Sequence, residues 1–178
     1  HFYVDTGLGR MGVPSHRALP WILEAQRTEG LRVEGMFMTF TEDADFDHEQ
    51  LRRFRELAAA ATAQGARVGR LHAASSHAVF NLPDGHLDLV RPGISLFGAY
   101  PTDAGGERSI AELRPALRLR ARVVRVEHVR AGDSAGYGRL LVAERTTWTS
   151  PLPVWHTDGF TRRAVYGARV LIGGGLYP

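Results

Sequence analysis

Two rhythms of apolar positions alternate along the first hundred residues. Phe2 and Val4 are spaced as on a strand, and the glycine-rich run Gly7-Leu8-Gly9-Arg10-Met11-Gly12 follows. Pro14 and Ser15 then give a helix-start signal, and Leu19, Ile22, Leu23 and Gln26 recur at helical spacing up to Gly30. Leu31 to Phe40 reads as a second strand. Phe46 to Gln64 is the clearest helix, with Leu51, Phe54, Leu57, Ala58 and Ala61 on one apolar face and Gly65 closing it. Its acidic start and Arg52, Arg53 and Arg55 read as a solvated surface. Arg67 to Ala73 is a third strand, Ser76 to Asn81 a short turn or helix, and Leu87 to Arg91 a fourth strand. Strands alternating with amphipathic helices imply parallel βα units. A closed eight-fold barrel takes about 250 residues, so the expectation is part of one.

Near Arg114 the pattern changes. Leu117 to Val123 alternates strictly, slips phase at Val123-Val124 and resumes at Val126, as in an antiparallel strand with a bulge. Arg118, Arg120 and Arg122 then share a face, which reads as a solvent face and not as a site for an anionic partner. Arg145 to Val154 gives another strand, and Val170-Leu171-Ile172 followed by Gly173-Gly174 reads as a strand and a turn. No helical spacing returns. The segment Thr102 to Pro115, rich in Gly, Pro and Asp, separates an α/β part, residues 1–112, from a β-rich part, residues 113–178. The chain opens inside a strand pattern at His1 and ends as abruptly, and it reads as an internal fragment.

Composition narrows the chemistry. The 178 residues hold enough apolar content for a real core, and no apolar run approaches the roughly 18 residues of a membrane span. No secretory signal pattern is present, which leaves the cytoplasm as the expected location. Without cysteine there is no disulfide, thiolate metal site or cysteine nucleophile, and no metal is expected. The net charge is only +3 with the cations dispersed, against a nucleic-acid footprint. All 22 basic residues are arginine. No side chain here can therefore bind a carbonyl cofactor through a lysine amine.

The candidate chemistry centres on Asp88-Leu89-Val90-Arg91-Pro92-Gly93-Ile94-Ser95-Leu96-Phe97-Gly98, an apolar strand broken by Arg-Pro-Gly that then resumes. An arginine at a strand end, a stiff proline and a glycine that admits a ligand suit an anionic or heteroaromatic cofactor in a barrel; a surface turn is the plain alternative. The chain also carries Val4-Asp5-Thr6-Gly7-Leu8-Gly9-Arg10-Met11-Gly12, His72-Ala73-Ala74-Ser75-Ser76 and Gly136-Tyr137-Gly138-Arg139. In this order and at these separations the set resembles alanine racemase, a family that depends on pyridoxal 5'-phosphate.

That resemblance runs through nearly the whole chain, from the middle of the family's barrel, of the (β/α)8 TIM type, into its all-β C-terminal domain. It implies interconversion of L- and D-alanine by two bases on opposite faces of the substrate, supplying D-alanine for peptidoglycan, since inversion requires both faces to be served. By resemblance, Tyr137 is one base and reaches into the active site of a partner subunit, which implies a homodimer. A tyrosine ordinarily titrates near pH ~10, so it acts as a base near neutrality only beside positive charge. Arg91 falls on the arginine that hydrogen-bonds the cofactor's pyridine nitrogen, and Ser76, Gly93 and Ile94 on the positions that hold its phosphate. Arg10 falls on the arginine near the cofactor's ring oxygen and the substrate carboxylate. Simpler roles exist for two of these: a turn tyrosine at a β corner for Tyr137, and a loop residue beside a helix start for Arg10.

Three positions depart from the family pattern. Tyr3 stands where many members have a lysine, Thr39 where a histidine usually links the tyrosine base to the pyridine arginine, and His156 where a tyrosine lies near the entrance. The family's cofactor-bearing lysine lies upstream of His1, so these residues alone are expected to be inactive. The competing readings are a decarboxylase on the same barrel, which carries an acid at the Arg91 position, a single-domain carrier of the cofactor, which lacks a β domain, and a racemase homologue that has lost activity or changed specificity.

Overall fold

The computed structural model describes residues 1–101, 112–165 and 167–177. The chain divides into two compact units, His1–Leu117 and Arg118–Pro178. Much of the segment that the sequence marks as the boundary, residues 102–111, lies outside the described residues.

The first unit is built of βα repeats. Strand β1 (Phe2–Asp5) is followed by a two-residue strand β2 (Val13–Pro14) and helix α1 (Ser15–Arg27). Next come β3 (Gly35–Phe37), α2 (Ala44–Ala63), β4 (Arg70–His72) and the short α3 (Ser76–Asn81). The strands form one parallel sheet in the order β2-β1-β3-β4. For β1, β3 and β4 the parallel order follows from the crossovers, since a helix returns the chain to the starting edge before the next strand, and β2 joins β1 in parallel after the loop of residues 6–12.

Alternation on the strands sorts the faces. Val4, Met36, Met38 and Ala73 are buried on one face, against Ala18 and Ile22 of α1 and Leu51, Phe54, Leu57 and Ala61 of α2. The apolar face anticipated for α2 is therefore the core face, and Phe54 and Ile22 are fully buried. Asp43 caps α2 by accepting from the Phe46 N–H at 2.9 Å, which supplies one of the bonds a helix start lacks. Arg52 is indeed a surface residue, paired with Glu49 and Glu56, but its neighbours reach further. Arg53 donates to the Thr6 carbonyl at 3.0 Å and Arg55 to the Asp84 carbonyl at 3.0 Å, tying α2 to the loops at the sheet's rim.

Several strand expectations are corrected. Leu31 to Phe40 contains only the three residues of β3, Arg67 to Ala73 only β4, and Arg145 to Val154 only β8 (Thr147–Thr149). Leu87 to Arg91 is not a strand: it touches β4 through a single parallel bridge, Leu89 to His72. Asp88 explains why, because its carboxylate accepts from the Leu71 N–H at 2.7 Å and takes a donor that a ladder would use. Beyond Gly93 the apolar run does not resume as a strand either. Ile94–Phe97 is a 3₁₀ turn closed by Gly98 at φ 79°, where a Cβ would meet the Arg114 backbone.

The second unit is made of short antiparallel pairs. β5 (Glu127–Val129) pairs with β8, β6 (Ser134–Ala135) with β7 (Leu141–Val142), and β9 (Val170–Ile172) with β10 (Gly175–Tyr177). Gly173 and Gly174, both at positive φ, make the two-residue turn of the last hairpin. The alternating stretch Leu117 to Val126 joins no ladder among the described residues and is exposed throughout. Its alternation specifies two faces, but a strand also requires a partner edge.

Candidate cofactor site

On the sheet face turned away from the helices, register decides what meets. Tyr3 lies opposite Phe37 in β1 and β3, and Phe37 lies opposite His72 in β3 and β4. Their rings form a row. Tyr3 and Phe37 stack with centroids 4.3 Å apart and 15° between planes, and Phe37 and His72 lie 5.1 Å apart with planes only 1° from parallel.

Arg91 closes this row. Its N–H donates to the Ala74 carbonyl at 2.8 Å, which docks the Arg-Pro-Gly segment on the end of β4. Its guanidinium donates to the Met38 carbonyl at 2.7 Å, the Ala73 carbonyl at 3.3 Å and His72 Nδ1 at 2.6 Å, and lies over the Phe37 ring at 5.2 Å. None of these acceptors is a carboxylate. Burial pushes the Arg91 pKa down from its ordinary value, with the nearby Tyr3 acting the other way.

The contact with Arg91 fixes the tautomer of His72. A guanidinium has only donors, so Nδ1 must be the lone-pair nitrogen. The proton of the neutral ring then sits on Nε2 and is donated to His1 Nδ1 at 2.6 Å. His72 is 5 % exposed, and its pKa is lowered by burial first, then by the positive Arg91.

Beside Arg91 opens a cleft of about 370 Å³ lined by Glu42, Ser75, Ser76, Arg91, Gly93 and Ile94 together with His77, Tyr100 and Pro101. Ser76 Oγ accepts from the N–H of Gly93 at 2.8 Å and of Ser95 at 3.3 Å. The hydroxyl proton of Ser76 is thereby left to donate. A Cβ built on Gly93 meets nothing within 4 Å, so the approach to this backbone is open. Among the described residues, two buried polar atoms have no partner, Nδ1 of the lining residue His77 and Oγ of Ser95, which is not in the lining. A hydroxyl proton free to donate, an open backbone and an arginine are what a phosphorylated heteroaromatic group would use.

Four of the six candidates, Arg91, Ser76, Gly93 and Ile94, thus surround one cleft. Arg10 is exposed on the loop after β1 and is not among the lining residues. That loop is shaped by Asp5, whose carboxylate accepts from the N–H of Gly7 at 2.9 Å and of Gly9 at 3.1 Å. Tyr137 belongs to the second unit, where it opens the 3₁₀ turn Tyr137–Arg139 between Gly136 at φ 81° and Gly138 at φ 69°, and it is 88 % exposed. The two departures Tyr3 and Thr39 touch: the Tyr3 hydroxyl donates to Thr39 Oγ1 at 3.2 Å. His156 begins a 3₁₀ turn with Thr157 and Asp158, closed by Gly159 at φ 85°. His72 and Phe37 were not singled out from the sequence. The signal that could have found them is the strand register, which the sequence alone does not provide.

Comparison with known proteins matches both halves. A family model described as alanine racemase, N-terminal domain, covers residues 1–101, and one described as alanine racemase, C-terminal domain, covers residues 116–178. The alanine racemase of Desulfovibrio desulfuricans is 37% identical over 100% of this chain and 48% of its own length. That of Carboxydothermus hydrogenoformans is 39% identical over 98% of this chain and 48% of its own. Among solved structures, alanine racemase from Clostridium difficile 630 superposes with a TM-score of 0.83 at 28% identity, covering 99% of this chain and 47% of that one. The enzyme from D-cycloserine producing Streptomyces lavendulae gives 0.82 at 33% identity, over 98% of this chain and 48% of its own. The chain spans about half the length of these relatives. A partial barrel followed by a β-rich part is what this chain shares with the matching half of these structures, and the chain belongs to the alanine racemase family.

Proposed function

We propose that this chain is part of a pyridoxal-phosphate-dependent enzyme of the cytoplasm that interconverts L- and D-alanine by two-base proton transfer, supplies D-alanine for peptidoglycan and works as a homodimer. The observation that carries the reading is the cleft: an arginine without a carboxylate partner among the described residues, beside a serine-anchored turn with open backbone. When bound, pyridoxal phosphate supplies an electron sink that makes the α-proton of an amino acid removable. Ser76 and the turn at Gly93 and Ile94 hold the phosphate, Ser76 through its remaining proton. Arg91 keeps its own proton and offers it as a hydrogen bond to the ring nitrogen, which therefore stays unprotonated. His72 holds Arg91 in that role by accepting on Nδ1. Arg10 pairs with the substrate carboxylate, and Tyr137 moves a proton on one face of the substrate. The high exposure of Tyr137 suits a residue that acts in another subunit.

Lysine is absent from these residues, so the division of labour is testable. The 178-residue chain, incubated with pyridoxal phosphate, reduced with borohydride and digested, should yield no peptide with pyridoxyl on a side chain and should not racemise alanine. The longer polypeptide carrying this chain should convert L- and D-alanine in both directions, followed by circular dichroism of the amino acid. Absence of racemisation by that longer, correctly folded polypeptide would refute the reading.

A further inference from the structure

We propose that Phe37 is a positioning residue, the aromatic plate that sets the plane of the Arg91 guanidinium and of the His72 ring. Three observations support this independently of any bound group. The register places Tyr3, Phe37 and His72 side by side on three adjacent strands, with Phe37 in the middle. The Phe37 and His72 planes are parallel to 1°, and Arg91 Cζ lies 5.2 Å over the Phe37 ring. The row is held at both ends, by the Tyr3 to Thr39 hydrogen bond at 3.2 Å and by the contact of His72 with His1 at 2.6 Å.

The physical need for a plate follows from the partners of Arg91. Met38 O, Ala73 O and His72 Nδ1 fix where its N–H groups point, but no carboxylate compensates its charge among them. A ring face carries the negative lobe of the aromatic quadrupole and attracts a guanidinium that has no counter-ion among the described residues. It also suits a planar cation better than an aliphatic side chain does, because the flat ring restricts tilt. The consequence is an arginine whose plane is set before any ligand arrives, which lowers the ordering cost of binding.

The test uses the longer polypeptide carrying this chain, labelled with ¹⁵N-arginine and free of cofactor. The Nη resonances of Arg91, assigned through an Arg91→Gln variant, should be separate, slowly exchanging and shifted upfield by the ring. Phe37→Leu keeps the apolar volume and removes the π-face; it should collapse the Nη signals to an average, while Phe37→Tyr should restore them. A role in packing alone predicts the wild-type signature in Phe37→Leu, and that result would overturn the proposal. Unshifted, averaged Nη signals in the wild type would overturn it as well, whether or not the variants fold. A second arm rests on the cofactor reading above: Phe37→Leu should weaken binding of pyridoxal phosphate by about tenfold, the scale of a partly buried cation–π contact. Collapsed Nη signals together with unchanged affinity would support the plate and count against Arg91 as the cofactor's partner.

Discussion

His72 sits where two requirements meet, since it must accept from Arg91 and it is nearly buried. Both favour the neutral ring, and its pKa is lowered from 6.5, by burial first and by the Arg91 charge second. The direction gives a pH dependence: an unfolded chain takes up a proton near pH 6.5 that the folded one resists. His72 therefore contributes stability fully above about pH 6.5, and that contribution is lost as pH falls through the lowered folded value. Thermal midpoints measured from pH 8 down to pH 5 should drop with acid, and His72→Gln should flatten that part of the slope. An unchanged slope in His72→Gln would place the acid sensitivity elsewhere. Arg91 and Ser76 were legible in the sequence because each sits in a motif whose residue types fit a ligand. His72 stood inside the same motif as Ser76 and gave no signal of its own. A histidine on a strand acquires meaning only once its lateral neighbours are known, and alternation fixes a face but not the strand beside it.

α2 shows at the level of elements how the rim of the sheet is held in place. Gln50 is fully buried in this helix and saturates its amide: Nε2 donates to Thr6 Oγ1 at 3.1 Å and to the Thr39 carbonyl at 3.3 Å, and Oε1 accepts from the Thr41 N–H at 2.9 Å. Asp47, one turn earlier, accepts from the N–H of Thr41 and of Glu42 at 3.1 Å each. One helix face therefore fixes the chain leaving β1 and the chain leaving β3, beside Thr39 and above the ring row. Gln50→Leu conserves approximate volume but leaves the Thr39 carbonyl without this donor and the Thr6 hydroxyl without this partner. We expect it to destabilise by about 2–4 kcal/mol, on the scale of two buried polar groups losing partners, read as a lowered midpoint in urea at unchanged m. A loss near zero would mean that Asp47 alone carries the rim. The helix itself was legible because an apolar face with a helical period specifies one element without reference to any other. Leu87 to Arg91 and Leu117 to Val126 were misread for the converse reason. Their apolar content fits a strand, but a side chain, Asp88, takes one ladder position in the first, and in the second the Val124 N–H to Pro151 carbonyl bond at 3.1 Å does not extend into a ladder among the described residues.

Over the whole molecule the proposed chemistry is split between units, with Arg91, Ser76 and the cleft in His1–Leu117 and Tyr137 in Arg118–Pro178. The change of pattern near Arg114 made two parts legible, because helical spacing ends there. An assembly of two chains was expected only through the resemblance, as no feature of one sequence states what covers an exposed tyrosine. The proposed homodimer makes a quantitative prediction if Tyr137 acts in the neighbouring subunit while the cofactor-bearing lysine acts in its own. The longer polypeptide with Tyr137→Ala, and the same polypeptide with that lysine changed to Ala, should each lose nearly all racemase activity, since inversion requires a base on both faces. Mixed in equal amounts under conditions that exchange subunits, they form dimers of which about half are mixed, as two-fold symmetry and random pairing require. Each mixed dimer has one site with both bases intact and one site with neither. Activity should therefore recover to roughly a quarter of the wild-type value per subunit, a level that follows from site counting in a closed two-fold dimer. Exchange is verified separately, by mass spectrometry of isotopically distinct subunits. Demonstrated exchange with no recovery would show that Tyr137 is not the second base or does not act across the interface. Activity retained by Tyr137→Ala on its own would remove it from the proton transfer altogether.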